Sequence, residues 1–272
     1  MGRVEKRMYK QRKRRRWMLF LLLLAAAAVF AWYKLPEGFL IERISDKTKA
    51  TADADDQTVE TREVTLPEET WYAIQTGVFS TEEAARQKAE AYTGRGAPGT
   101  VILDGAKWRV FIVCYDSESD AASVKSRLET NQHVETYLYA WKMPEVQLRL
   151  TGKRGQLDAV EAGFTLLTSA ATTLRDAAVD LDAAQLTNTE ACDIVVAMGD
   201  AIALWENTVR DRFGRKPPSL VKDMQSIADG WDARQQSILA ADDATALSAA
   251  LKAQAMGLYD EIIAWRNALV AQ

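Results

Sequence analysis

The chain has little of what catalysis and metal binding usually need: among its 272 residues there are one histidine and two cysteines. Cys114 and Cys192 are too few for a disulfide-stapled scaffold or a thiolate zinc site, which wants four clustered ligands. Each is expected to pack as a small hydrophobe, a single bridge between them being the alternative. The lone His133 precedes a strand, the place of a solvated loop residue rather than a ligand or general base. No Ser-His-Asp set, phosphate-binding loop or zinc motif can be assembled. The reading is therefore a non-enzyme with no catalytic residue, no metal and no cofactor. A lytic glycosidase needs only a carboxylate pair across a cleft, which sequence spacing does not reveal, and it stands as the alternative.

Positive charge is outweighed after the first 16 residues. That segment holds nine Lys or Arg against Glu5, a local charge of +8, so with a total of −4 everything after Arg16 sums to −12. An acidic body does not suit a phosphate backbone, which selects a basic stripe. Nucleic acid is not expected as a partner.

Charge and proline are both missing from Trp17 to Tyr33, WMLFLLLLAAAAVFAWY. As a helix this run spans about 26 Å, and Leu35 extends it past Lys34, which can snorkel. Trp17, Trp32 and Tyr33 stand where interfacial aromatics belong, and the basic block Lys10 to Arg16 keeps the N-terminus cytoplasmic by the positive-inside rule. The expectation is a cytoplasmic segment 1–16, a transmembrane helix 17–35, and all that follows outside the membrane. A signal peptide cut after Val29-Phe30-Ala31 is the competing reading. Residues 36–70, mostly Thr, Ala, Asp, Glu and Lys, lack periodicity and read as a flexible linker with a root-mean-square span of about 35 Å.

Periodicity returns at 71–143. Trp71 to Phe79 reads as a strand, and Ser80 with Glu83 forms a capping box for a helix through Tyr92 that Gly94-Arg95-Gly96 ends. Thr100 to Leu103 and Lys107 to Tyr115 make a hairpin around Asp104-Gly105. Ser117 caps a second helix to about Leu128, and Val134 to Tyr139 closes the set. The fold class is α+β, a ferredoxin-like βαββαβ domain with both helices on one face of a four-stranded sheet.

Gln75-Thr76-Gly77-Val78-Phe79-Ser80, an Ala-rich helix, then Trp108-Arg109-Val110-Phe111-Ile112 and a second Ala-bearing helix together resemble the SPOR (sporulation-related repeat) family. That family has a Gln-x-Gly-x-Phe first strand and an Arg-Val-x-Val-Gly-Pro-aromatic third strand. Val113 and Cys114 stand where the family has Gly-Pro, which bears on the turn after the third strand. Val78 replaces a small or polar residue. The resemblance implies a domain that binds peptidoglycan glycan strands stripped of stem peptides, as at a septum, through the open sheet face, in cell division or sporulation.

Alternation assigns Trp108, Val110 and Ile112 to the helices, and Lys107, Arg109 and Phe111 to the open face. By the same parity Trp71, Ala73, Gln75 and Gly77 face outward, as do Tyr137 and Tyr139. The candidate glycan-binding residues are Trp71, Gln75, Arg109, Phe111, Tyr137 and Tyr139. Rings stack on sugar C–H faces, and Gln and Arg donate to hydroxyl, acetamido and carboxylate oxygens. Three alternatives remain: the C-terminal helices or the linker cover these aromatics, the face serves a protein-protein adaptor without glycan affinity, or it stacks RNA bases as the same architecture does elsewhere.

After a short extension at Val146 to Leu150, residues 144–272 read as an all-α bundle whose role is open, with a division or sporulation protein as its partner. Its helices are expected at Gln156–Leu181, Glu190–Phe213, Pro218–Leu239 and Ala244–Val270. Trp205, Trp231 and Trp265 are expected in its core.

Overall fold

In the computed structural model the elements follow the order β1 (Val59–Leu66), β2 (Glu69–Phe79), α1 (Glu82–Glu90), β3 (Thr100–Asp104), β4 (Lys107–Tyr115), α2 (Glu118–Gln132), β5 (Tyr137–Met143), β6 (Val146–Lys153), α3 (Arg154–Asp182), α4 (Asn188–Phe213), α5 (Ser219–Asp229), α6 (Trp231–Leu239) and α7 (Ala244–Val270). The structure describes residues 58–92 and 96–271. These belong to a single compact unit, Asp53–Gln272, separate from Met1–Ala52. The expected segments 1–16 and 17–35, the linker up to residue 57, and Gly94 and Arg95 lie outside the described residues. Among the described residues no helix is long and apolar enough to cross a membrane.

Strands β2 to β5 form an antiparallel sheet in the order β3-β4-β2-β5, the ferredoxin-like order that two βαβ halves give when the first strands of each lie side by side. The β3–β4 hairpin turns through Gly105, whose φ of +60° is one that residues with a Cβ avoid. Helix α2 is capped by Ser117, as expected, but α1 is capped by Thr81, whose hydroxyl accepts the Ala84 N–H. Ser80 instead meets the Lys107 ammonium at 3.3 Å.

One sheet face carries Ile74, Val110, Ile112 and Val113 against Ala85 and Ala89 of α1 and Val124 and Leu128 of α2. Parity in β4 is thus as alternation predicts up to Ile112. There a register shift against β2 inserts an extra residue, so that Ile112 and Val113 both serve this face while Cys114 turns to the other. With Val113-Cys114 in place of Gly-Pro the strand runs on, and Cys114 pairs with Ala73. Trp108 is only half-buried, packed beside the α1 cluster at the strand end, where a full core position was expected.

Three assignments made from sequence change. The linker does not extend to residue 70: Val59–Leu66 is a strand paired with β6 from Val59↔Lys153 to Leu66↔Val146, and the short extension at Val146 is the other half of this ribbon. Val64, Leu66, Leu148 and Leu150 turn inward onto the core. The last strand of the main sheet is Tyr137–Met143 rather than 134–139. The boundary at 143/144 falls inside a continuous core, in which Trp71, Phe111, Trp141 and Met143 of the sheet join Leu167, Leu174, Leu258, Tyr259 and Ile262 of α3 and α7.

The C-terminal helices keep the expected spans, except that Gly230 divides the third into α5 and α6. Trp205, Trp231 and Trp265 are buried. Helices α3, α4 and α5 meet closely at Gly163, where an added Cβ would lie 2.3 Å from Met224 Cε and 2.7 Å from the Trp205 ring. Both cysteines are free thiols, Cys114 buried and Cys192 half-buried; burial pushes the Cys114 thiol up to about 12. His133 is the exposed left-handed cap of α2, with φ +52°.

Candidate functional site

The sheet face opposite α1 and α2, expected to be open, is divided in two. Its upper half is closed by the protein's own C-terminal helices. Trp71 is 2% exposed and Phe111 1%. The Tyr259 ring of α7 lies parallel to the Trp71 indole, centroids 3.8 Å apart and planes 9° apart, while the Arg175 guanidinium of α3 sits 4.7 Å from the same ring. Trp141 meets Tyr259 edge-on at 5.4 Å and stacks on Phe111 at 5.5 Å. Tyr259 thus occupies the ring face that Trp71 would offer to a sugar.

Polar contacts fasten the same helices to the sheet domain. Lys252 donates to the Gly96 carbonyl at 2.6 Å and pairs with Asp182 at 2.7 Å. Arg266 donates to the Pro67 carbonyl at 2.7 Å. Arg175 pairs with Asp176 and Asp116; burial alone would lower its pKa, but these two carboxylates outweigh that and hold it above the usual value. Buried cations held by carboxylates and carbonyls, with only Arg266 Nε unpaired among the three, around an apolar contact, describe a permanent interface rather than a loose lid.

The lower half is uncovered. Here Arg109 donates from Nε to Asp104 Oδ2 at 2.6 Å and from a terminal nitrogen to Gln75 Oε1 at 2.8 Å. Tyr139 donates its hydroxyl to the same Asp104 oxygen at 2.9 Å, and the Arg109 guanidinium lies 4.7 Å over the Tyr139 ring. Parity brings these four together: Asp104 ends β3, Arg109 and Gln75 lie in adjacent strands, and Tyr139 is in β5. Tyr137, the register partner of Gln75, is 53% exposed, and Val78, the partner of Arg109, is exposed beside it. Gln75 itself is 6% exposed, so it positions Arg109 from beneath. Burial, then the hydrogen bond to Asp104, raises the Tyr139 pKa.

At the border between the halves stands Asp260 of α7, whose carboxyl is pushed up to about 6, chiefly by burial and then by Glu261 and Asp104. Of the six candidates from sequence, Tyr137 is exposed and Arg109 and Tyr139 are half-buried on the uncovered half, Gln75 supports Arg109, and Trp71 and Phe111 are core. Asp104 was read only as a turn residue before Gly105, and nothing in the sequence marks Asp260.

Chemically the lower half is a small polar plate. Arg109 keeps N–H groups beyond the two bonds above, and Asp104 Oδ1 has no hydrogen-bond partner among the described residues. Paired donor and acceptor with flanking tyrosine rings can hold hydroxyl and acetamido groups. Among the described residues no group of three or more His, Cys, Asp or Glu is placed to hold a metal ion.

The family model of the SPOR domain matches residues 49–139. The chain carries a SPOR domain. The match covers roughly a third of the chain and takes in β1 as well as the four-stranded sheet up to Tyr139. SPOR domains are peptidoglycan-binding modules, a binding family rather than a catalytic one. Searches of the curated proteins and of the solved structures return no match.

Proposed function

We propose that the protein is a non-catalytic, single-pass membrane protein that binds peptidoglycan glycan strands through the uncovered half of its SPOR sheet. Its N-terminus lies in the cytoplasm, the run 17–35 spans the membrane, and the rest is extracytoplasmic. The ligand is glycan stripped of stem peptides, the form met at a septum during division or sporulation. The observation that carries the reading is the Arg109–Asp104–Gln75–Tyr139 network beside exposed Tyr137, on the sheet face opposite the domain's own helices. Arg109 and Asp104 hold the polar groups of the sugar, and Tyr137 and Tyr139 supply ring surface.

The test is co-sedimentation of the full-length protein, in detergent, with purified sacculi before and after amidase treatment. Amidase treatment should increase binding. Arg109→Ala, which removes a charge-assisted contact, and Tyr137→Ala, which removes a ring face, should each weaken it about tenfold. The melting temperature should be nearly unchanged for Tyr137→Ala and lowered for Arg109→Ala, which leaves the buried Gln75 oxygen without its donor. The second reading, a protein-protein adaptor without glycan affinity, is favoured by the closure of Trp71 and Phe111 beneath α7. Absence of sacculus binding by the unmutated protein would replace the first reading with the second.

A further inference from the structure

Asp260 of α7 is a carboxyl for which the fold makes no provision. It is half-buried, and among the described residues it makes no hydrogen bond or ion pair. The groups that act on it are both acids, Glu261 beside it and Asp104 of β3, and its own charge reaches Tyr139 of β5. The cations on the elements packed against α7 are engaged elsewhere. Arg109 of β4 is held by Asp104 and Gln75, Arg234 of α6 by Glu261, and Arg175 of α3 by Asp116 and Asp176. Lys252 and Arg266 of α7 itself are taken up by Asp182 and by the Gly96 and Pro67 carbonyls. None of these cations, and no group of α5 or β6, acts on Asp260. A half-buried carboxylate with neither donor nor counter-ion costs stability, and residues kept at such a cost collect where a ligand is met.

The position of Asp260 agrees with that use. Helix α7 packs on β3, β4 and β5, and its Tyr259 closes the upper half of the sheet face by stacking on Trp71. Asp260, the next residue, stands on the rim of the polar plate, within electrostatic reach of two of its members, Asp104 and Tyr139.

We propose that Asp260 is a ligand-contact residue on the rim of the glycan plate, and that a strand seats there with uptake of a proton by this carboxyl. The inference rests on the glycan-binding reading given above. A sugar lying across Tyr139 and Asp104 removes water that still reaches Asp260, which penalises the carboxylate form further. The lactyl carboxylates that amide hydrolysis leaves on a stripped strand add like charge. Protonated, the same group donates to a hydroxyl, acetamido or lactyl oxygen. All three effects favour the protonated form in the complex, so by linkage binding strengthens as pH falls. Burial and the two neighbouring acids already bring the free carboxyl up to about 6, so its protonated fraction falls about tenfold from pH 5 to pH 7. The C-terminal helices thus do more than cover half of the sheet: they supply the remaining half with a group that the SPOR domain lacks.

The test is binding of the full-length protein, in detergent, to amidase-treated sacculi at pH 5 and pH 7, with Asp260→Asn beside the unmutated chain. The unmutated protein should bind about three- to tenfold more tightly at pH 5. Asp260→Asn, fixed in a neutral form, should bind at pH 7 nearly as the unmutated protein does at pH 5, and change by less than about twofold between the two. Calorimetry at pH 6.5 with a soluble amidase-trimmed glycan oligomer, in buffers of different ionisation heat, should show uptake of about half a proton or more per site by the unmutated protein and none by Asp260→Asn. An equal pH profile in the two proteins, or proton uptake that survives the substitution, overturns the proposal and leaves the glycan reading standing. Absence of binding by the unmutated protein at both pH values removes the glycan reading itself, and this inference with it.

Discussion

Replacing Trp71 by Ala separates a closed upper face from an open one. On the open reading Trp71 is a sugar platform, and its loss removes binding while the fold is kept. In the structure it is a core residue, stacked on Tyr259 and 2% exposed. Truncating a buried aromatic costs about 3–5 kcal/mol, which in a unit of this size lowers the melting temperature by about 6–20 °C. Tyr259→Ala, from a ring 1% exposed, should cost a similar amount. The double variant should cost about 1 kcal/mol less than the sum, because the stacked pair is lost only once. The assay is urea or thermal unfolding of the full chain in detergent, paired with sacculus binding measured below the melting transition. Binding per folded molecule should be unchanged in both single variants. If Trp71→Ala leaves stability intact and abolishes binding, α7 does not cover the sheet and the division of the face is refuted. If the two losses add with no coupling, the stack contributes nothing beyond burial.

Asp260 has a native pKa raised from 3.8 to about 6, so its stabilising contribution is complete below its unfolded value and is lost as pH rises from about 4 to 6. Asp260→Asn should therefore stabilise by about 1 kcal/mol at pH 7.5, after allowance for its partial exposure, and by nearly nothing at pH 3.5. Equal effects at both pH values would contradict this. Gly163→Ala should destabilise by about 2 kcal/mol or more, because the methyl must displace Met224 and Trp205; a neutral result in calorimetry would mean the helix crossing relaxes easily. A chain stopped after Met143 should show no cooperative melt, since it exposes Trp71, Phe111 and Trp141 and leaves β1 without β6. A sharp transition would show that the SPOR domain folds alone.

Local pattern was enough wherever an element's signal lies within its own residues. The α1 and α2 helices, the Asp104-Gly105 hairpin and the helical spans of 154–270 follow from caps, glycines and 3.6-residue periodicity, save that α1 is capped by Thr81 rather than Ser80. That Gln75 and Arg109 share a face followed from two-residue alternation in adjacent strands, while their hydrogen bond is a finding of the structure, and the SPOR motifs lie in those same strands. Val59–Leu66 escaped because five of its eight residues are polar or charged and its partner, β6, comes only after the whole four-stranded sheet. A ribbon strand that buries one face carries little local signal.

What the sequence by itself determined is that Trp71, Phe111, Arg109 and Tyr139 share a face whatever lies over it, since alternation is set by backbone geometry. It did not mark the two register shifts between β2 and β4, which break alternation after Ile112 and set Gly77 opposite core-facing Val110 rather than outward. Which part of that face meets solvent was decided only by tertiary structure. Tyr259 lies 188 residues beyond Trp71, and no periodicity in α7 distinguishes a stripe that packs on other helices from one that also closes a sheet. The apolar area of Trp71, Phe111 and Trp141 called for a cover, and the nearest one on the same chain supplied it, leaving the polar end of the face, where Arg109 and Asp104 hold each other, open to a ligand.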